Sequence, residues 1–353
     1  MKTIYSVIFI FSAITSNLYA QTTDVVTGLN GPVRIELKDT ELFISEFDGE
    51  IISKININST LPTTSEVVTV LNNPDGLSSP DGLAFNDNTL YIAETNASKI
   101  SSIDISSGSP TATDVVTGLN NPRGIVLYGS NLYITNGNKI SKIDINSTTP
   151  TATDVVTDLN GAFDIILNGT ELYIAIRNDG KVSKIDLAET NPILTDVITG
   201  LDLPLGIAIN GTDLYISETI ANKICKVDLN AVTPIAVDVL TGLNSPIGIE
   251  IIGTDMYIVE TGAHKISKIS IGSLSTEDFL IEDGIKLYPN PTSDFILVSG
   301  LNKTKNYKIY NSLGQEVLDG VVNSNYRIET LYLTNGLYFL KFDDGKSFNF
   351  IKE

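Results

Sequence analysis

The sequence predicts an all-β protein whose main body is a six-bladed β-propeller. Three observations carry this prediction: one phrase of sequence occurs six times, each copy holds four short strand-like runs, and no amphipathic helical pattern follows the N-terminus. The spacings between copies are 42, 48, 40, 42 and 42 residues, which with four strands per copy is typical of propeller blades. The copies begin at Asp24, Glu66, Asp114, Asp154, Asp196 and Asp238.

The third copy shows how one blade is built. Its innermost strand is predicted at Gly124–Leu127, its second at Leu132–Ile134, its third at Lys139–Ile145 and its fourth at Asp154–Thr157. These runs are rich in Ile, Val and Tyr and are bounded by Gly, Pro, Asn and Asp, as strands and turns are. The inner runs are continuously apolar, which indicates a blade buried on both faces between two neighbours.

The phase of the repeat predicts how the ring closes. The first phrase, starting at Asp24, is a fourth strand with no blade before it, while the sixth copy ends after its third strand, His264–Ile271. We therefore expect residues 24–29 to complete the last blade. Closure of this kind removes the exposed strand edges that an open array would leave.

Residues 1–20 are predicted to be a secretory signal peptide. Lys2 precedes an apolar stretch from Ile4 to Ile14, and the small residue Ala20 ends the segment. The stretch is shorter than a membrane span, and no later segment is long enough. We expect a secreted or surface-displayed monomer with no membrane span, in which residues 21–271 form the propeller and residues 272–283 a linker.

The net charge of the chain argues against some classes of binding partner. The formal net charge is −19, but residues 284–353 carry eight Lys or Arg against seven Asp or Glu, so the acidity belongs to the repeat region. Such a surface repels nucleic acid and anionic membranes. It is also able to attract cations, although a solvated secreted surface is the favoured interpretation.

Residues 284–353 are predicted to be a separate small immunoglobulin-like β-sandwich, with aromatic-rich strands and glycines at turns. Its motif residues are Tyr288, Pro289, Asn290, Pro291, Gly314, Gly336 and Lys352. With these motifs the segment resembles the C-terminal sorting domain of the type IX secretion system of Bacteroidetes-type bacteria. The resemblance implies contact with that machinery, export across the outer membrane, and release or anchoring at the cell surface. The alternative is an ordinary sandwich that packs on the ring.

The absence of Trp argues against the Trp-Asp type of propeller repeat, and Pro80–Phe85 and Leu90–Thr95 carry a different resemblance. Through these segments the repeat region, over roughly residues 24–272, resembles NHL-repeat and Tyr-Trp-Thr-Asp propellers and the related gluconolactonase-like group. The gluconolactonase resemblance implies a divalent metal held by a Glu, an Asn and an Asp. Glu94, Asn136 and either Asp81 or Asp164 match that set by residue type.

Departures from the repeat at the start of the innermost strands provide the first candidate site. Here Arg34, Asp81, Arg123 and Asp164 stand in the first four blades, while the last two blades offer apolar residues. A channel mouth that is polar on one side and apolar on the other is typical of a ligand site. The alternative is that Arg and Asp pair with each other around the channel.

The end of the second strand provides the other candidate position. Glu94, Glu218 and Glu260 stand there, and Glu46 and Asn136 take the same place in two further blades. A ring of carboxylates is able to hold Ca²⁺. Because a residue repeated in most blades usually serves its own blade, for example by accepting N–H bonds from the following turn, the structural interpretation is favoured. Beyond this Ca²⁺ alternative, no cofactor is predicted.

The sequence favours a propeller that binds a ligand or a protein partner over an enzyme. The chain has one histidine, His264, and no zinc spacing, phosphate loop or nucleotide fingerprint. Two alternatives stay open: a metal-dependent lactonase-like hydrolase at the acidic mouth, and a structural or adhesion module.

Overall fold

The computed structural model describes residues 22–60, 62–68, 76–108, 110–274, 286–299, 301, 304–311, 314–323, 326–343 and 347–353. The chain divides into two compact units, residues 1–274 and residues 275–353. The predicted signal peptide and most of the predicted linker lie outside the described residues.

The described part of the first unit is built from short strands and three short 3-10 turns, Arg177–Asp179, Thr261–Ala263 and Ile271–Leu274. The strands are β1 (Thr23–Thr27), β2 (Pro32–Lys38), β3 (Glu41–Glu46), β4 (Ile51–Asn56), β5 (Ser65–Val68), β6 (Pro80–Asn86), β7 (Thr89–Glu94), β8 (Lys99–Asp104), β9 (Thr113–Thr117), β10 (Pro122–Tyr128), β11 (Asn131–Asn136), β12 (Ile140–Asp144), β13 (Thr153–Val156), β14 (Ala162–Asn168), β15 (Glu171–Ile176), β16 (Lys181–Asp186), β17 (Thr195–Thr199), β18 (Pro204–Asn210), β19 (Asp213–Glu218), β20 (Lys223–Asp228), β21 (Val237–Thr241), β22 (Pro246–Ile252), β23 (Asp255–Glu260) and β24 (Lys265–Ser270).

These strands form antiparallel four-stranded sheets, which confirms the predicted all-β class. Sheets one to five are β2–β5, β6–β9, β10–β13, β14–β17 and β18–β21, each with its strands in chain order. Sheet six has the order β1-β24-β23-β22. Its outer strand therefore comes from the N-terminal end of the described chain, with Thr27 opposite Lys265 and Asp24 opposite Ser267.

The first strands of the six sheets, here called the lining strands, are β2, β6, β10, β14, β18 and β22. Neighbouring lining strands contact each other, and β2 also contacts β22. Four of them have Gly at their third position, and a Cβ on Gly206 would lie 1.9 Å from the Ile247 carbonyl oxygen of the next sheet. On Gly248 it would lie 2.7 Å from the carbonyl oxygen of Val33. Close approach of the lining strands therefore requires these glycines.

The apolar core of the unit lies between sheets rather than in one central layer. Each cluster of buried Ile, Leu and Tyr joins residues of two neighbouring sheets. One cluster joins sheets six and one, with Tyr257 and Ile266 packed among Ile35, Leu42 and Ile44. Each sheet is thus covered on both faces, which explains the continuous apolar runs of the inner strands.

The second unit is a β-sandwich. Its two sheets have the orders β25-β26-β29 and β28-β27-β30-β31. Alternate residues of these strands, including Tyr307, Ile309, Leu340 and Phe350, form one buried core. The strands are β25 (Lys286–Tyr288), β26 (Phe295–Ser299), β27 (Lys305–Asn311), β28 (Glu316–Val322), β29 (Tyr326–Glu329), β30 (Gly336–Phe342) and β31 (Ser347–Lys352).

Within the described residues, no helix has the length and apolar character needed to cross a membrane.

Candidate functional site

A cavity of about 410 Å³ lies between the lining strands and is bounded by residues from all six of them. Many of the lining residues are aliphatic, with Leu83, Val126 and Ile166 among them. The charged residues that reach it are Arg34, Glu36, Asp164 and Glu250.

Arg34 closes the end of this cavity at which the lining strands begin. It replaces the Gly of sister strands, and its side chain is buried with 7% exposure. The guanidinium contacts two other sheets: Nε lies 3.2 Å from Asp81 Oδ1, and Nη1 lies 2.9 Å from Asp164 Oδ2. Nη2 also donates to the Phe163 carbonyl at 3.3 Å. The side chain therefore joins sheets one, two and four.

The two carboxylates of this network are held differently. Asp81 is fully buried and accepts a second guanidinium, with Arg123 Nη1 2.8 Å from Oδ2. Asp164 accepts the backbone N–H of Ile207 at 3.0 Å. Burial raises the pKa of Asp164, and the charge of Arg34 opposes that rise.

Three guanidiniums surround the ring of Phe163. Those of Arg34, Arg123 and Arg177 lie 5.1, 4.7 and 5.5 Å from its centroid, which is within the range of cation–π attraction. Arg123 also lies 5.7 Å from the ring of Phe47 and keeps 22% of its side chain exposed. We call Phe163, Arg123 and Arg177 the arginine face.

Arg177 is the member of the arginine face that pairs with no carboxylate among the described residues. Its Nε is buried and has no hydrogen-bond partner there. Burial and the neighbouring charge of Arg123 lower the pKa of Arg177, although a guanidinium stays protonated at neutral pH. Three guanidiniums therefore meet two carboxylates, and both Arg34 Nη1 and Arg177 Nε are buried without a hydrogen-bond partner among the described residues.

Glu94, Glu218 and Glu260 are not part of this network, because each lies at the end of the second strand of its own sheet. They are buried, with 1%, 3% and 4% exposure. One oxygen of each accepts a backbone N–H sixteen residues earlier, from Ser78 at 2.8 Å, Asp202 at 2.7 Å and Asn244 at 3.0 Å.

The remaining oxygens of these three carboxylates are also occupied. Glu94 accepts from Ser101, and Glu260 accepts from Ser267 at 2.6 Å. Lys223 lies 3.1 Å from Glu218. The carboxylates thus fix the loop before each lining strand, whereas the sequence interpretation had expected donors in the turn that follows.

The structure therefore brings together Arg34, Asp81, Arg123 and Asp164 and leaves the three glutamates apart. Asn136 is also occupied, since its Oδ1 accepts the Asn120 N–H at 2.6 Å. Within the described ranges, no three His, Cys, Asp or Glu side chains are grouped as metal ligands would be.

Sequence reasoning missed Arg177, Glu36 and Glu250. Arg177 follows Ile176, which stands where the other five copies carry Glu or Asn. Glu36 and Glu250 occupy the fifth position of their lining strands, where the sister residues are apolar. Comparison of the six copies at that position would have found them.

The predicted sorting-motif residues lie in the second unit. Tyr288 ends β25 with 42% exposure, and cis peptide bonds precede Pro289 and Pro291. Asn290 Oδ1 accepts the N–H of Ile351 at 2.8 Å, which ties this motif to the last strand.

The other motif residues lie at turns and edges of the same unit. Gly314, in the turn before β28, has a φ of +76°. Gly336 begins β30 opposite Lys352 of β31, and Lys352 is largely buried.

Residues 286–353 match the family described as the secretion system C-terminal sorting domain. The match confirms the predicted sorting domain and indicates export by the type IX route to the cell surface or the extracellular space. No curated protein matches the chain.

Solved structures similar to the chain have propeller-type folds. A catalytically inactive variant of virginiamycin B lyase from Staphylococcus aureus with quinupristin is 19% identical, with a TM-score of 0.51 over 71% of this chain and 98% of that one. A nidogen/laminin complex is 18% identical, with a TM-score of 0.50 over 60% and 80% of the two chains. The PQQ-bound aldose sugar dehydrogenase of Streptomyces coelicolor is 15% identical, with a TM-score of 0.53 over 71% and 98%. At these identities the likeness shows the fold alone.

Proposed function

We propose that this chain is an exported six-bladed propeller, closed by its N-terminal strand, that binds an anionic group of an extracellular ligand at the arginine face. The observation that carries the proposal is the set of three guanidiniums around Phe163, which meet two carboxylates among the described residues.

Contacts between the first and last sheets support the closed ring. A buried apolar cluster joins sheets six and one, Gly248 packs against Val33, and β1 completes sheet six. On this arrangement the cavity is the central channel of the propeller, and Arg34 plugs it from the arginine face.

The chemistry of the arginine face supports an anionic ligand. Arg presents a planar set of donors that matches carboxylate, sulfate or phosphate, and charge-assisted bonds of this kind are stronger than neutral ones. Asp81 occupies Nη1 of Arg123, and Phe163 supports both guanidiniums from below, so the remaining donors are held in place. Two half-buried cations on a chain with a net charge of −19 also form a local attraction for anions.

Among the described residues at the mouth, two of the side chains that match the lactonase-like metal set have other partners. The carboxylate of Glu94 and the amide of Asn136 are engaged within their own sheets. The Nδ1 atom of His264 lies 3.1 Å from the Leu29 carbonyl oxygen, in a turn of sheet six. The ligand-binding function thus has the better support.

The binding proposal is tested by calorimetry on the full chain with glucuronate and inorganic sulfate as probes and with glucose as the uncharged analogue. We expect saturable binding of at least one anion, no binding of glucose, and at least tenfold weaker binding by Arg177→Gln, since a hydrogen bond to a charged group contributes about 1.5–3 kcal/mol. Lys142→Gln, on β12, is the matched charge control.

Two outcomes would overturn the proposal. One is equal affinity of the wild type and Arg177→Gln while both melt normally. The other is failure of both anions to bind saturably at low ionic strength, where a surface charge interaction is strongest.

The export proposal has a separate test. Removal of residues 286–353 should retain the first unit inside the outer membrane, whereas Lys308→Gln, on an exposed strand of the tail, should leave export unchanged. Cell fractionation measures both, and normal export of the truncated chain would contradict the proposal.

A further inference from the structure

The central cavity contains a second pair of charged residues that the arginine face does not use. Glu36 lies two residues beyond Arg34 on β2, roughly 7 Å farther along the strand and on the same side. Glu250 lies on the neighbouring lining strand β22. The sister positions in the other four lining strands are Ala84, Val126, Ile166 and Ala208.

These two carboxylates differ from the other acidic groups around the cavity because they have no partner. Among the described residues, neither Glu36 nor Glu250 accepts a hydrogen bond or joins an ion pair, and both line the cavity. The nearby cation, Arg34, is already engaged by Asp81 and Asp164.

The surroundings make two bare carboxylates costly. Burial raises the pKa of Glu36, and the charges of Glu250 and Asp164 add to that rise. Burial together with Asp164 raises the pKa of Glu250 to about 7. A cation placed between the two groups would relieve both the desolvation and the repulsion.

We propose that the cavity binds a small organic cation, an ammonium group with an apolar body, between Glu36 and Glu250. The ammonium donates to the two carboxylates, and the apolar body contacts Val126 and Ile166, which hold the same position on their lining strands as the two glutamates. The volume of about 410 Å³ falls within the range of small-molecule sites.

The same lining makes a calcium ion a poor occupant. Ca²⁺ takes six to eight oxygen ligands, whereas the side chains at the sister positions of the two glutamates are aliphatic. The site is also independent of the arginine face, since the two share no residue.

Binding of the cation depends on the protonation of the two glutamates. Because burial raises the pKa of both carboxylates, protons compete with the cation for the two groups. Affinity for the cation should therefore rise as the pH is raised from 6 to 8. Asp164 and Arg34, the other charged groups at the cavity, stay paired with each other over this range.

The test uses the full chain, calorimetry, and hexylammonium as the probe, with hexanol as its neutral analogue and CaCl₂ as the metal. We expect saturable binding of hexylammonium at pH 8, at least tenfold weaker binding at pH 6, and at least tenfold weaker binding by Glu36→Gln/Glu250→Gln. Glu41→Gln, which removes a carboxylate paired with Lys54 outside the cavity, is the matched control.

Three outcomes would overturn this inference. They are equal affinity for hexylammonium and hexanol, unchanged affinity in the double variant, and tight Ca²⁺ binding that the double variant loses. If the double variant fails to fold, Glu250→Gln alone, together with the pH dependence of the wild type, decides the question.

Discussion

Replacement of Arg34 by Met is the sharpest test of the network at the channel mouth. The change keeps a long side chain at this position but removes the guanidinium. Asp81, with no exposed surface, would then keep only Arg123, and Asp164 would keep only backbone donors.

The expected loss in the free energy of unfolding follows from the burial of the ion pairs. Loss of one partner of a buried ion pair destabilises a protein by about 3–5 kcal/mol, because the remaining charge cannot reach water. For a unit of this size, 1 kcal/mol corresponds to roughly 2–4 °C, so we expect Tm to fall by roughly 6–20 °C. Lys54→Met is the control, because the pair with Glu41 is partly open to solvent, and ion pairs near the surface contribute only about 0–1 kcal/mol.

Scanning calorimetry of the full chain measures both variants, with attention to the transition of the larger unit. Arg34→Gly, which restores the repeat consensus, should be destabilising as well, because the ion network and not the repeat determines this position. A loss of stability for Arg34→Met no larger than that for Lys54→Met would refute the reasoning.

Two other stability predictions follow from the lining strands. Gly206→Ala should cost about 1–3 kcal/mol because its Cβ would overlap the Ile247 carbonyl oxygen, while Gly108→Ala, with open space around it, should change the free energy of unfolding by less than about 0.5 kcal/mol in urea titrations. Because the pKa values of Glu36 and Glu250 are raised by folding, the wild type should lose stability relative to the double Gln variant as pH rises from about 4.5 to 7; equal pH profiles would count against this.

The strands were predictable from the sequence because every copy repeats the same order of apolar runs and turn residues. The third copy placed its inner strand at Gly124–Leu127, and β10 covers Pro122–Tyr128. The departures from the pattern were equally visible, and Arg34 and Asp164 stood out because the close approach of lining strands otherwise requires Gly at that position.

The sequence could not show which side chains the residues that replace the repeat glycine would contact. Arg34 and Asp164 are far apart in the chain, and only the arrangement of the lining strands brings them within 2.9 Å. For the same reason Arg177, on a 3-10 turn, could not be placed beside Phe163 from local pattern alone. Glu94 differs from these residues because its partner is close in the sequence. The sequence predicted a partner in the turn after Glu94, whereas the N–H that it accepts belongs to Ser78, in the loop before the lining strand.

The central claim, that the arginine face binds an anion, is tested most directly by anomalous diffraction from crystals soaked in selenate. The account predicts a selenium peak whose oxygens lie within about 3 Å of the guanidinium nitrogens of both Arg123 and Arg177. A saturated soak with selenium peaks elsewhere and none at these two side chains would contradict it.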